Sequence, residues 1–284
     1  MIETSTRFKP FPERVLGLGD GQNLVAIVAD GDEANASKPV VVMLNAGVLH
    51  RVGPRRMHVL LGRELAALGF PTCRVDLSGI GDSRSITGHA SFRESAVADT
   101  RLVMDELARE AVSNRFVIFG LCSGADNALA VAARDPRVAA VILLDAFSYS
   151  TKRAYAREFL RRRAQSGLLP AMTTVVGAWV RVGARLLRRG DRSAAPAGRV
   201  SPPISEARKL LRQVVEQGTK ILFIYSATLH IRCNHREQLF ESFPELRGRV
   251  DVEYFADADH LFTESGTQRR LMDAVTAWLC KMFP

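Results

Sequence analysis

Twelve residues constrain this chain more than any other stretch: Phe116 to Asn127, FVIFGLCSGADN. The apolar run Arg115 to Phe119 reads as a buried strand, and the small residues from Ala125 to Arg134 read as a helix. Between them lies Gly120-Leu121-Cys122-Ser123-Gly124. A chain turning this sharply from strand to helix has no room for side chains two residues before and after the apex. Glycine fits there and tolerates strained dihedrals. Centring the turn on Ser123 would put Leu121 and Ala125 at the small positions, and Leu121 is too bulky. Cys122 is therefore the apex, at the N-terminus of the following helix, whose dipole favours negative charge. The plainer alternative is a strand–helix turn holding a buried, inert cysteine.

The rest of the chain alternates strand and helix patterns. Arg14–Leu18 and Leu24–Val28 flank the turn residues Gly19-Asp20-Gly21-Gln22 and read as a hairpin. Val40–Leu44 is a continuous apolar run, as in a strand buried on both faces, and leads into Asn45-Ala46-Gly47-Val48. A helix is expected from Pro54 to Leu68, with Met57, Leu60, Leu61, Leu65 and Leu68 at helical spacing. Thr72–Asp76 is the fourth strand and enters Asp76-Leu77-Ser78-Gly79-Ile80-Gly81-Asp82-Ser83. Ser91 and Glu94 form a capping box for a helix to about Glu110. Val138–Asp145, Lys220–Ser226 and Arg249–Phe255 are further strands, and a final helix covers Thr267–Met282. Near-continuous apolar strands alternating with helices predict an α/β fold: a mostly parallel, eight-stranded sheet with helices on both faces.

Four motifs now stand in order: Asn45-Ala46-Gly47-Val48 after the third strand, Asp76…Gly79-x-Gly81-x-Ser83 after the fourth, the Cys122 turn after the fifth, and Asp259-His260-Leu261-Phe262 after the last. Over nearly its full length the chain resembles the α/β-hydrolase superfamily, whose nucleophile elbow is this strand–turn–helix. Within it the chain is similar to bacterial serine-aminopeptidase-like and exosortase-associated hydrolases, and its Gly-x-Cys-x-Gly form to dienelactone hydrolase. The resemblance implies that Cys122 is the nucleophile, where most members carry serine, and that His260 is its base. It implies an oxyanion hole from the backbone of Ser123 and Gly47, with Val48 as a further candidate. The usual His-Gly at the loop start is here Asn45-Ala46, so Asn45 is either a turn cap or an active-site contact. Of the other histidines, His50, His58, His89, His230 and His235 are expected at the surface or around the site.

The acid usual after the seventh strand is missing from Ser226-Ala227-Thr228-Leu229-His230. Asp145, at the end of the sixth strand, is the carboxylate available instead, a position from which some members orient their histidine. A Cys-His dyad, a histidine oriented by Asn234, and Asp259 as a local cap remain open. Asp76 and Asp82 read as structural. Asn45, Trp179 and Asn234 are further candidates for substrate contact.

The net charge of +9 is unevenly placed. Thr151–Arg212 holds fifteen Lys or Arg against Glu158, Asp191 and Glu206, a net +12, so the remainder carries −3. We expect a core domain of residues 1–150 and 214–284 and a basic helical lid of residues 151–213 between the sixth and seventh strands. Its helices are expected at Lys152–Ser166, Pro170–Arg189 and Ile204–Gln217, the middle one with a greasy face that includes Trp179. Either the lid is a packed cover with a solvated basic face, or its outer face meets something acidic, an acyl carrier protein or CoA. No nucleic-acid motif, cofactor motif or metal-like cysteine spacing occurs.

Four scattered cysteines, no leader-like apolar segment near Met1 and no uncharged apolar run of ~18 residues predict a cytoplasmic protein without a membrane span. The sequence carries no signal for oligomeric state. Three functions follow from the resemblance: hydrolysis of a small ester or thioester through an acyl-Cys122 intermediate, transfer of that acyl group to an alcohol or amine, or binding without catalysis. Intact Cys122, His260 and elbow glycines argue against the last.

Overall fold

The computed structural model describes residues 12–19, 21, 23–31, 38–85, 91–110, 112–166 and 201–284. Every side chain of β3 (Val40–Met43), β4 (Thr72–Asp76) and β5 (Phe116–Leu121) is buried, as in strands covered on both faces. With β1 (Glu13–Leu18), β2 (Leu24–Ala29), β6 (Val138–Leu144), β7 (Lys220–Ser226) and β8 (Asp251–Phe255) they form one eight-stranded sheet. Its order is β1-β2-β4-β3-β5-β6-β7-β8. β2 runs antiparallel to both β1 and β4, and all other neighbours are parallel. The expected strands thus stand within two residues. β8 starts late because Arg249 is held in a turn by its N–H to the Leu246 carbonyl, 2.9 Å.

The period-two alternation of the strands divides the core. Val41, Met43, Phe119 and Leu121 pack with residues of α1 (Met57–Ala67) and α7 (Ser265–Met282) on one face. Val40, Val42, Phe116 and Ile118 pack on the other with α2 (Phe92–Arg109), α3 (Ser123–Ala132) and α5 (Ile204–Glu216). The Ser91 hydroxyl accepts from the Glu94 N–H, 3.3 Å, so the expected cap of α2 forms. Because the strands are mainly parallel, the loops that follow β3 to β8 gather at one edge of the sheet.

Among the described residues, the C-terminal end of the basic segment packs on the core. α5 buries Ala207, Leu211 and Val214 in the core beside α3, so it belongs to the layer covering the sheet. The expected lid boundary at residue 213 therefore falls within a core helix. α4 (Lys152–Ser166) forms as expected and is held by Arg157, which bonds Glu241 of α6 (Gln238–Ser242) at 2.7 Å. The expected helix Pro170–Arg189, with Trp179, lies outside the described residues. No helix among the described residues is long and apolar enough to cross a membrane.

Candidate active site

The elbow glycines are required by contact. A Cβ on Gly120 would lie 2.2 Å from the Gly124 carbonyl carbon, and one on Gly124 would lie 2.5 Å from the Asn45 carbonyl oxygen. Both obstacles are backbone, which has little freedom to yield. Between them Cys122 has φ 57° and ψ −117°, a sparsely populated conformation for a residue with a side chain. Its N–H bonds the Leu144 carbonyl at 2.9 Å, which ties the apex to β6. α3 begins at Ser123, two residues earlier than the small-residue run implied, so Cys122 is the residue immediately before its first turn.

The loop after β8 is shaped to present one imidazole. Asp259 accepts from the N–H groups of Leu261 (3.1 Å) and Thr263 (2.9 Å) and from the Thr263 hydroxyl. Phe262 adopts φ 50° and is fully buried, edge-on to Phe255 at 5.3 Å. His260 projects between these anchors, and its Nδ1 lies 2.6 Å from Asp145 Oδ2. The bond to Asp145, and after it a bond to the Cys122 thiol, raise the His260 pKa to about 9 against the opposing effect of burial. The ring thus links the Asp145 carboxylate to the Cys122 thiol, and its charged form is favoured.

Asp145 is one residue past β6, with φ 47° and no exposed surface. Its carboxylate also accepts from the Ser226 N–H, 2.7 Å, and the Ser226 hydroxyl, 2.6 Å. Ser226 ends β7, near where an acid was missed in the sequence. It supplies donors to the carboxylate on the neighbouring strand instead. Sequence reasoning did not single out Ser226; the only signal was a hydroxyl closing the apolar run Ile221–Tyr225.

The loop after β3 is fixed by a buried polar clamp. Asn45, 1% exposed, donates to the Leu49 carbonyl (2.8 Å) and Asp76 (3.0 Å) and accepts from the Leu77 N–H (2.7 Å). Arg51 donates its backbone N–H to Asp76 at 2.7 Å, and its guanidinium bonds Asp76 and, at 2.7 Å, Asp82. His50, Asp76 and Asp82 do bring ligand-type atoms within 4.8 Å of one another, but the guanidinium supplies the cation there. The clamp presents Gly47, at φ 59°, to the elbow: its N–H donates to the Ser123 hydroxyl oxygen at 2.8 Å.

The serine aminopeptidase S33 family model matches residues 41–178, which include the Asn45 loop, Cys122 and Asp145 but not His260. Among solved structures the chain is similar to an α/β serine hydrolase without a lid from Xanthomonas campestris, at 16% identity, 97% of both chains and TM-score 0.57. It is also similar to the esterase Pf2001 of Pyrococcus furiosus, at 14% identity over 96% of this chain and 94% of that one, TM-score 0.60. A thermophilic esterase from Thermogutta terrifontis matches at 18% identity over 96% and 100%, TM-score 0.52. At such identities the likeness establishes the fold. The chain has the α/β-hydrolase fold. No curated protein compared with it matches.

Several site expectations are redrawn by this structure. Asn234 bonds Arg157 (2.9 Å) and the Ala154 carbonyl (2.9 Å), so it ties the loop after β7 to α4 and does not orient His260. Asn45 is the structural clamp described above, its amide engaged by Leu49, Asp76 and Leu77. Val48 is 88% exposed at the loop tip, and it is Gly47 that meets the elbow. Trp179 lies outside the described residues. His58 is fully buried with its pKa pushed down to about 4 by burial, and it packs edge-on to Phe119 at 5.5 Å; it is a neutral core residue. Burial likewise pushes the Cys73 and Cys233 thiols up to about 12, which leaves them inert beside Cys122. On α4, Arg161 and Arg162 both pair with Glu158, at 2.8 and 2.6 Å, so part of the basic charge is already balanced. A cleft of about 260 Å³ is lined by Arg93 of α2, Asp126 of α3 and Glu206 and Lys209 of α5, with Phe147; Cys122, Asp145 and His260 are not in its lining.

Proposed function

We propose that the protein is an acyl hydrolase acting on an ester or thioester, with Cys122 as nucleophile, His260 as general acid and base, and Asp145 as the residue that orients His260. One observation carries the reading: a single imidazole bonded by a buried carboxylate at Nδ1 and by the thiol of a strained elbow cysteine. Holding Nδ1 to Asp145 leaves Nε2 for the sulfur, the arrangement in which a histidine takes and returns a proton. The raised His260 pKa favours an imidazolium paired with a Cys122 thiolate, the nucleophilic form.

Sγ attacks the acyl carbon as the carbonyl π pair moves onto oxygen. The oxyanion collapses and breaks the bond to the leaving group, which receives the His260 Nε2 proton. The product is a thioester between the acyl group and Cys122. Water attacks that carbonyl while Nε2 takes its proton, the C–S bond breaks, and the carboxylic acid departs with the thiolate–imidazolium pair restored.

The cysteine favours a second reading, acyl transfer, because a thioester acyl-enzyme reacts readily with amines. The names of similar structures, esterases and a puromycin-hydrolysing peptidase, support acyl chemistry in general. The expectation of an acidic carrier protein or CoA rests on the charge of residues 151–212 alone. The test is product analysis on short acyl esters and thioesters, with and without an added alcohol or amine. Hydrolysis predicts free acid in both cases; acyl ester or amide in proportion to acceptor supports transfer. Turnover retained in Cys122→Ala would refute both.

A further inference from the structure

We propose that the Ser123 hydroxyl is a catalytic donor to the oxyanion, polarised by the N–H of Gly47. This rests on the reading of Cys122 as an acyl-accepting nucleophile. The expected second backbone donor of the hole, the Gly47 N–H, is already committed: it points into the Ser123 hydroxyl oxygen at 2.8 Å. A hydroxyl accepts through its lone pairs and donates one proton. Among the described residues the Ser123 proton has no acceptor; the hydroxyl oxygen receives the Gly47 N–H and makes no other bond. At the elbow the Cys122 N–H is spent on the Leu144 carbonyl, and those of Ala125 and Asp126 turn back to the Cys122 carbonyl. Among the described residues the Ser123 N–H, at the first position of α3, has no acceptor, as is usual at a helix start.

Ser123 therefore offers two donors from the residue next to the sulfur: its backbone N–H and its hydroxyl. As the C–S bond forms and the carbonyl pair moves onto oxygen, both would point at the new charge. The hydroxyl proton stays on Ser123 throughout; its hydrogen bond shortens and no covalent bond at Ser123 changes. Donation from Gly47 into the same oxygen polarises the O–H, and hydrogen bonds in such a chain strengthen one another. The hydroxyl turns about a single side-chain torsion, so the hole is completed without moving the clamped loop. The competing role is a plug: a hydroxyl that merely occupies the Gly47 N–H until substrate displaces it.

The two roles predict opposite outcomes for Ser123→Ala. A donor predicts that kcat for p-nitrophenyl acetate falls ~10²-fold with KM little changed, as when one oxyanion donor is removed. Binding of a trifluoromethyl ketone, whose adduct carries the same oxyanion, should weaken in parallel. Alkylation of Cys122 by iodoacetamide, which forms no oxyanion, should stay within about 2-fold by the same reasoning. Ser123→Thr keeps the hydroxyl and should retain most of kcat, which also covers an Ala variant that fails to fold. An unchanged or raised kcat in Ser123→Ala would overturn the proposal in favour of the plug. A parallel fall in alkylation rate would overturn it in favour of a purely structural role. Wild-type protein whose Cys122 resists both acylation and alkylation would instead sink the nucleophile reading, and the donor role with it.

Discussion

Replacing Asp145 by asparagine separates the orientation of His260 from the shape of the fold. Asp145 is fully buried and its carboxylate receives three donors: the Ser226 N–H at 2.7 Å, the Ser226 hydroxyl at 2.6 Å and His260 Nδ1 at 2.6 Å. Its backbone sits at φ 47°, which asparagine tolerates nearly as well as aspartate and alanine does not. The amide cannot accept from all three donors. With its oxygen toward Ser226, its NH₂ faces Nδ1 and forces that nitrogen to accept, so the neutral ring carries its proton on Nε2, where it cannot act as base. The same change removes the largest contributor to the raised His260 pKa. We expect kcat to fall ~10²–10⁴-fold, about 3–5 kcal/mol of transition-state stabilisation. The basic limb of kcat/KM should move down from about 9 toward the ordinary histidine value of 6.5. Loss of a charge-assisted buried bond should lower stability by about 1–3 kcal/mol, leaving a folded protein. Steady-state kinetics across pH, with a denaturant melt of each variant, measures all three. A folded Asp145→Asn protein with wild-type kcat and an unmoved basic limb would refute the assignment and leave a Cys-His dyad.

In the wild type, activity should fall above about pH 9 as His260 loses the proton its leaving group needs. The same raised pKa has a consequence for folding: the stability contributed by His260 is fully present below 6.5 and is lost as pH rises through about 9. Urea midpoints at pH 6 and pH 10, compared between wild type and His260→Ala, should differ by less in the variant. Gly124→Ala would place its Cβ 2.5 Å from the Asn45 carbonyl oxygen, so we expect loss of soluble folded protein or a markedly lowered melting temperature; a normal melt would contradict the elbow packing. Arg51→Met strips Asp76 of its cation while keeping the side-chain volume. Leaving a buried carboxylate unpaired costs about 3–5 kcal/mol, so thermal unfolding should shift well down, and kcat should fall as the Gly47 loop loosens.

How much of this was legible in the sequence differs by element. The strands were readable because each is a short apolar run closed by turn residues, and the elbow because two glycines at fixed spacing admit one frame. Asp145 was legible only as a candidate: nothing in the order of residues says that a carboxylate after β6 and a histidine after β8 meet across the edge of the sheet. That meeting follows from strand order, which places β6, β7 and β8 side by side. Ser226 was invisible for the same reason, since its role is to donate sideways to the next strand. The packing of α5 on the core is hard to read from the sequence because its three basic residues lie within a strongly basic stretch, while the residues that bury it, Ala207, Leu211 and Val214, are small or aliphatic and spaced for a helix face. Asn234 carried the right residue type for orienting a histidine, yet its side chain is consumed by Arg157 and Ala154.

The central claim, that Cys122 carries the acyl group, is tested most directly by intact-protein mass spectrometry after rapid acid quench with an acyl thioester. The account predicts a single added acyl mass in the wild type, localised by peptide mapping to the segment containing Cys122 and absent from Cys122→Ala. It also predicts that His260→Ala forms the adduct far more slowly. An adduct that persists in Cys122→Ala, or turnover in that variant with no adduct at all, would contradict it.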